Sequence, residues 1–239
     1  MRSLLPFCLL TLVAATSAAC ADASGTDEES PPDTSAEQAF SRNKSVGKPP
    51  MAEAEQPEGL PAGFYPQENV SSYYGPCGPV SAVYLMNIYV GRGPGSTGDN
   101  QRAFDRASDL AQGDRLLPGS SPSGLVYAVN TMLGTGAIGQ SARYESGASM
   151  ERIRELLGQN KPVIVLMGWQ DPNASFVTMH YVTALGYRVD GDKRQILVHD
   201  NGAFREIDEA VLDNARNTPF HRNSILWIDR TAPAHLPRP

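Results

Sequence analysis

Cys77 is the residue with the clearest chemical promise. The chain of 239 residues has three cysteines; Cys8 and Cys20 fall in the N-terminal stretch ending at residue 20, which leaves Cys77 as the one thiol of the expected folded domain. It stands in Tyr73-Tyr74-Gly75-Pro76-Cys77-Gly78-Pro79, a run of turn residues leading directly into a helical pattern. A sulfur at a helix start meets unpaired backbone N–H groups and the positive end of the helix dipole, and both stabilise a thiolate. The flanking glycines let a substrate or another backbone come close. A lone thiol is either a small buried hydrophobe or a nucleophile, and the second role needs a base. Four histidines are available: His180, His199, His221 and His235. His235 lies in the Pro-rich C-terminal stretch and His221 in a polar loop. His180 opens the apolar run His180-Tyr181-Val182-Thr183-Ala184-Leu185, sharing a strand face with Val182 and Ala184. A core histidine is the plain structural alternative there. Asp200, twenty residues on, ends the next strand and meets His180 if the two strands pair antiparallel, where it would hold the imidazole's tautomer and orientation. Strand alternation sends His199 to the other face, which makes it the poorer base.

The elements that must position these residues change character along the chain. Apolar spacing predicts helices over Pro79 to Val90, closed by Gly91, and over Asn100 to Gln112, with Asp99 as cap and Gly113 as stop. Ser121-Pro122 starts a third helix that ends at Gly134, and Ser149 caps a fourth carrying Ile153, Leu156 and Leu157. Beyond Pro162 strands take over. Val163 to Met167 is a continuous apolar run, the mark of burial on both faces. Phe176 to Tyr187 and Gln195 to Asp200 follow, joined by Asp190-Gly191-Asp192; Ile207 to Asn214 reads as a short helix and Ser224 to Asp229 as a closing strand. Helices first and strands afterwards predict a segregated α+β domain, an N-terminal helical part followed by an antiparallel sheet.

The first residues read differently. Arg2, the apolar stretch Leu4 to Ala15 and the small residues up to Ala19 have the pattern of a secretory signal, residues 1–20, too short to span a bilayer. Cys20 also resembles the acylated cysteine of a bacterial lipoprotein, although Ser17 stands where that motif prefers Leu. Residues 21–62 carry six prolines and nine acidic against three basic side chains, a net -6. That composition predicts a disordered acidic linker, with the folded domain over 63–239. The domain itself has a net charge of only -1. Without a Lys/Arg stripe it has no electrostatic footprint for nucleic acid. A membrane contact would come only through a lipid on Cys20. No His-Glu-x-x-His spacing, cysteine pair or Gly-rich phosphate loop after a strand is present, so neither a metal nor another cofactor is expected. The domain reads as a monomer.

Taken in order, these residues resemble the papain-like cysteine peptidases of the type that removes bacteriocin leaders after double glycine, and in particular their secreted stand-alone relatives. The resemblance spans roughly residues 63–229. It is carried by Gln67, by Gly75-Pro76-Cys77-Gly78-Pro79-Val80-Ser81-Ala82, by Lys161-Pro162-Val163-Ile164-Val165, by His180 to Tyr187 and by Leu197-Val198-His199-Asp200. It implies a papain-like fold, with Cys77 as nucleophile, His180 as general base, Asp200 as orienting residue and Gln67 completing an oxyanion hole with the Cys77 backbone N–H. Gln67 stands farther from Cys77 than the family's spacing, which keeps Asn69 as a substitute donor. Asp200 is followed by Asn201 where the family commonly has Pro, which leaves Asn201 open as the orienting group.

The expectation is an exported thiol hydrolase acting on peptide or isopeptide bonds of a peptide or protein substrate, through a thioester intermediate. Two alternatives stand beside it. One is acyl transfer or glutamine deamidation of the transglutaminase kind, which shares the order Cys, His, Asp. The other is a catalytically silent binding domain of the same fold. Specificity is expected in loops such as Gly91–Gly98 and Gln170–Ser175.

Overall fold

The computed structural model describes residues 47–66, 75–90, 97–111, 120–134, 141–170, 177–218, 221–230 and 232. The expected signal, Cys20, residues 21–46, Gln67, Asn69, the helix-ending glycines Gly91 and Gly113, and His235 lie outside them.

Among the described residues seven strands form one sheet in the order β1-β6-β5-β4-β3-β7-β2, with every neighbouring pair antiparallel. They are β1 (Ala52–Glu53), β2 (Ala142–Glu145), β3 (Val163–Gln170), β4 (Val177–Asp190), β5 (Lys193–Asp200), β6 (Ala203–Asp208) and β7 (Ile225–Ile228). They are accompanied, among the described residues, by the helices α1 (Cys77–Val90), α2 (Thr97–Ala111), α3 (Pro122–Leu133), α4 (Met150–Gly158) and α5 (Glu209–Arg216). The apolar run Val163–Met167 is buried throughout, as a central strand requires. Helix α1 packs against β4, β3 and β5, while α4 and α5 also pack on β3.

Local chemistry explains most helix ends. Ser121 caps α3 through the Gly124 N–H with Pro122 at the first position, and Ser149 caps α4 through the Arg152 N–H. Gly134, at φ 79, closes α3. Gly124 serves packing instead, since a Cβ there would run into the Ala111 carbonyl and only glycine lets α3 start against the end of α2.

The structure departs from the sequence expectation in four places. Helix α2 begins at Thr97, so Asp99 lies in its first turn, where it still complements the dipole, instead of capping it. The stretch read as a helix over Ile207 to Asn214 divides at Asp208: Ile207 belongs to β6, and the Asp208 carboxylate then caps α5 through the Ala210 and Val211 N–H groups. Helices and strands are less segregated than expected, since β1 precedes α1, β2 separates α3 from α4, and α5 separates β6 from β7.

The fourth departure is the linker boundary. Residues 47–62 are packed onto the sheet. β1 pairs with β6, the Ala54 N–H donates to the Phe204 carbonyl, and Leu60 is 5% exposed. The Pro61 carbonyl accepts from the hydroxyl of the fully buried Tyr84. A few well-placed anchors hold a stretch whose overall composition is that of a solvated chain. Ordered structure therefore reaches at least to Gly47, sixteen residues before the expected boundary at Gly63.

Candidate active site

Cys77 is the first residue of α1. Gly75, at φ 44, turns the chain into the helix, and the Pro76 carbonyl accepts the first helical hydrogen bond, from the Val80 N–H at 2.9 Å. The thiol is free and part-buried. Gly78 beside it is needed for space: a Cβ would lie 3.0 Å from the Ser120 Cβ and 3.3 Å from the Leu125 Cδ2, where α3 begins. The Tyr181 hydroxyl, buried, donates to the Ser120 carbonyl at 2.8 Å and ties that approach to β4.

His180 lies within β4, opposite Met167 of β3. Residues His199 and Thr183 are paired across β5 and β4, which places Asp200 and His180 diagonally on one face. The His180 Nε2 and Asp200 Oδ1 atoms are 2.6 Å apart. Both side chains are buried, at 7% and 3% exposure, so the contact is shielded from water. With Nε2 engaged by the carboxylate, Nδ1 is the ring nitrogen left for the hydrogen bond to Cys77. The Trp169 ring stands edge-on to the imidazole, 5.7 Å between centroids, and covers it further.

The electrostatics follow from this chain of contacts. Burial, the largest single influence on Cys77, pushes its thiol up. The hydrogen bond and positive charge of His180, with the Tyr181 and Gly78 backbone N–H groups, outweigh it and leave the thiol below its ordinary value. Burial likewise works against the His180 cation, but the hydrogen bonds to Asp200 and Cys77 prevail and raise it to about 9. Asp200 is held well below the usual carboxylate range despite its burial, by His180 and by Lys48. Thiolate facing imidazolium, with a carboxylate behind, is an arrangement able to attack a carbonyl carbon and return a proton to a leaving group.

The other expected residues take different places. His199 is fully buried, stacked on Tyr84 at 3.7 Å and 6° and edge-on to Phe204, and its Nε2 accepts from the Phe64 N–H. Burial lowers it to about 3 and keeps it neutral. It is a core histidine on the face away from Asp200. Asn201 is a turn residue, at φ 47 before Gly202 at φ 89, in the tight hairpin joining β5 and β6. Among the described residues its Oδ1 has no hydrogen-bond partner, and the contact to the His180 ring is made by Asp200. His221 lies in the bend before β7. Gln67 and Asn69 lie outside the described residues. Among the described residues no group of His, Cys, Asp and Glu side chains is placed to share a metal ion, and no helix is long and apolar enough to cross a membrane.

Three contributors escaped the sequence reading. Trp169 was within reach of it, because alternation along β3 puts Trp169 on the face of Met167, opposite His180. Arg205, whose Nε is 3.7 Å from Asp200 Oδ2, and Lys48, whose Nζ is 2.6 Å from the same oxygen, depend on pairings that no local pattern announces.

The sequence matches no family profile and no curated protein. Among solved structures it is similar to a "putative C39-like peptidase from Bacillus anthracis", at 11% identity and a TM-score of 0.45, over 76% of this chain and 99% of that one.

Proposed function

We propose that this chain is an exported, papain-like cysteine peptidase that hydrolyses peptide or isopeptide bonds. The observation that carries the reading is the single line of contacts from a thiol at a helix start, through His180, to the buried carboxylate of Asp200, 2.6 Å from the ring. Cys77 attacks the scissile carbonyl carbon, forming the C–S bond. Its proton, already resting on His180, passes to the leaving amine as the C–N bond breaks, and a thioester remains. Water, deprotonated by the now neutral imidazole, then attacks the thioester and releases the acid and the free thiolate. Asp200 holds the ring so that Nδ1 faces sulfur throughout. The Cys77 backbone N–H, at the first position of the helix, is a candidate oxyanion donor, with Gln67 or Asn69 as its partner.

The test begins with a thiol-reactive probe and the Cys77→Ala and His180→Ala variants. Cys77→Ala is expected to abolish both labelling at this position and turnover of a peptide library. His180→Ala should slow labelling sharply, and both variants should keep their circular dichroism, since each loses a reacting group and little core volume. Retained turnover in Cys77→Ala would refute the assignment. Product mass separates hydrolysis from the acyl-transfer alternative, because incorporation of an added amine leaves a heavier product.

A further inference from the structure

We infer that Lys48, carried across the strand ends by the segment before the helices, is a positioning residue for the catalytic carboxylate and sets the pH range in which the Cys77–His180 pair works. The inference rests on the cysteine-peptidase reading above and adds a residue to its machinery.

The geometry starts from the sheet. β3 ends at Gln170, β4 begins at Val177, β5 ends at Asp200 and β6 begins at Ala203, so these four termini share one end of the sheet. Residues 47–54 span that end. The Gly47 N–H donates to the Gln170 carbonyl at 2.8 Å, Ala52 and Glu53 pair with Glu206 and Arg205, and the Ala54 N–H donates to the Phe204 carbonyl at 3.0 Å. Between these ties the chain passes over β5, and Lys48 sets its Nζ 2.6 Å from Asp200 Oδ2. Farther along, the same segment packs on the turn after Asp200: a Cβ at Gly63 would strike the Gly202 carbonyl, and the Phe64 N–H reaches His199.

Two consequences follow for Asp200. A carboxylate can turn about its last bond, whose torsional preference is broad. With Oδ2 held by Lys48, the carboxylate plane is fixed and Oδ1 stays on His180 Nε2. The second consequence is electrostatic. Among the described residues the charged groups facing Asp200 are Lys48 from the arm, His180 from β4 and Arg205 from β6, with Cys77 of α1 beyond the imidazole; His199, on β5 itself, is neutral and turned to the other face. An unrelieved carboxylate on Nε2 would make the imidazolium so weak an acid that transfer of its Nδ1 proton to a leaving amine would be slow. Lys48 offsets part of that charge and leaves the imidazolium acid enough to serve as a proton donor.

Removing a positive charge raises the pKa of every neighbouring acid. Lys48→Gln is therefore expected to move both inflexions of the Cys77 alkylation profile to higher pH, the alkaline one more, because His180 is nearer. Lys48 is partly exposed, which limits the expected shift to roughly half a pH unit at low salt, less at high salt. Iodoacetamide alkylation, followed on the Cys77 peptide by mass spectrometry in the full-length protein, reads this without a substrate. Lys48→Arg should restore the wild-type profile. Lys161→Gln, which removes a cation paired with Asp229, should leave it in place. A Lys48→Gln profile that stays put or moves to lower pH, while His180→Ala still abolishes the low inflexion, would overturn the inference and spare the Cys–His pair. If His180→Ala left the wild-type profile unchanged, the pair itself would fail and Lys48 with it.

Discussion

Two histidines in adjacent strands show how environment decides role. His180 meets a carboxylate and a thiol and is raised to about 9, whereas His199, between Tyr84 and Phe204, is lowered to about 3. These shifts make a prediction about stability against pH. Between about 3 and the ordinary value of 6.5, the unfolded chain binds a proton at His199 that the folded chain refuses, so stability should rise with pH across that window. One proton corresponds to a slope of up to about 1.4 kcal/mol per pH unit. Asp200, with its lowered value, adds a loss only below the ordinary carboxylate range near 3.8. On the alkaline side the pair behaves differently. Folding lowers Cys77 and raises His180, so the two members of the pair act on the slope in opposite directions there. Denaturant titrations of wild type and His199→Gln, which can still accept from the Phe64 N–H, check this. The variant should lose the share of the slope between about pH 4 and 6 that belongs to His199, with His221, which burial also lowers, and Cys77, which folding lowers, keeping theirs. An unchanged slope would show that His199 is not the group responsible.

At the scale of elements, β3 is the strand on which the site depends, because it borders β4 and carries Trp169. Leu166, at 1% exposure, lies in its buried run. Leu166→Ala is expected to cost about 2–5 kcal/mol of unfolding free energy in denaturant titration, since the lost transfer energy is joined by a cavity in a close-packed core. This strand was legible in the sequence for the reason that makes it stable: five consecutive apolar residues admit only burial on both faces. The capped helices were legible too, from Ser121-Pro122 and Ser149. β6 was not, because Ala-Phe-Arg-Glu-Ile-Asp places only Phe204 and Ile207 firmly inside and leaves the polar residues between them half-buried, a weak period-2 signal. β2, with Arg143 and Tyr144 exposed, is weaker still. β2 is secured by β7, distant in the chain, and local pattern carries no record of that; β6 pairs with β5 across the turn before it and with the distant β1 on its other edge.

For the molecule as a whole, the N-terminal arm is where composition and structure part. Six prolines and an acidic excess over residues 21–62 predict a removable tether, yet its last third is built into the sheet and supplies Lys48. Composition averages over a segment, whereas stability depends on the few side chains that are actually buried. A pair of truncations separates the two parts. A chain lacking residues 21–46 is expected to keep the thermal stability and Cys77 reactivity of the full protein. Extending the deletion through residue 62 removes the burial of Leu60, worth roughly 1.5–3 kcal/mol, and takes away the Pro61 carbonyl that accepts the buried Tyr84 hydroxyl, leaving a polar group whose unmet hydrogen bond costs about 1–3 kcal/mol. It also strips β6 of its edge partner and Asp200 of Lys48. The longer deletion should therefore lower stability by several kcal/mol on the same scale and shift the alkylation profile to higher pH together with it. Equal stability and equal profiles for the two truncated chains would restore the tether reading of residues 47–62 and remove the arm from the catalytic apparatus.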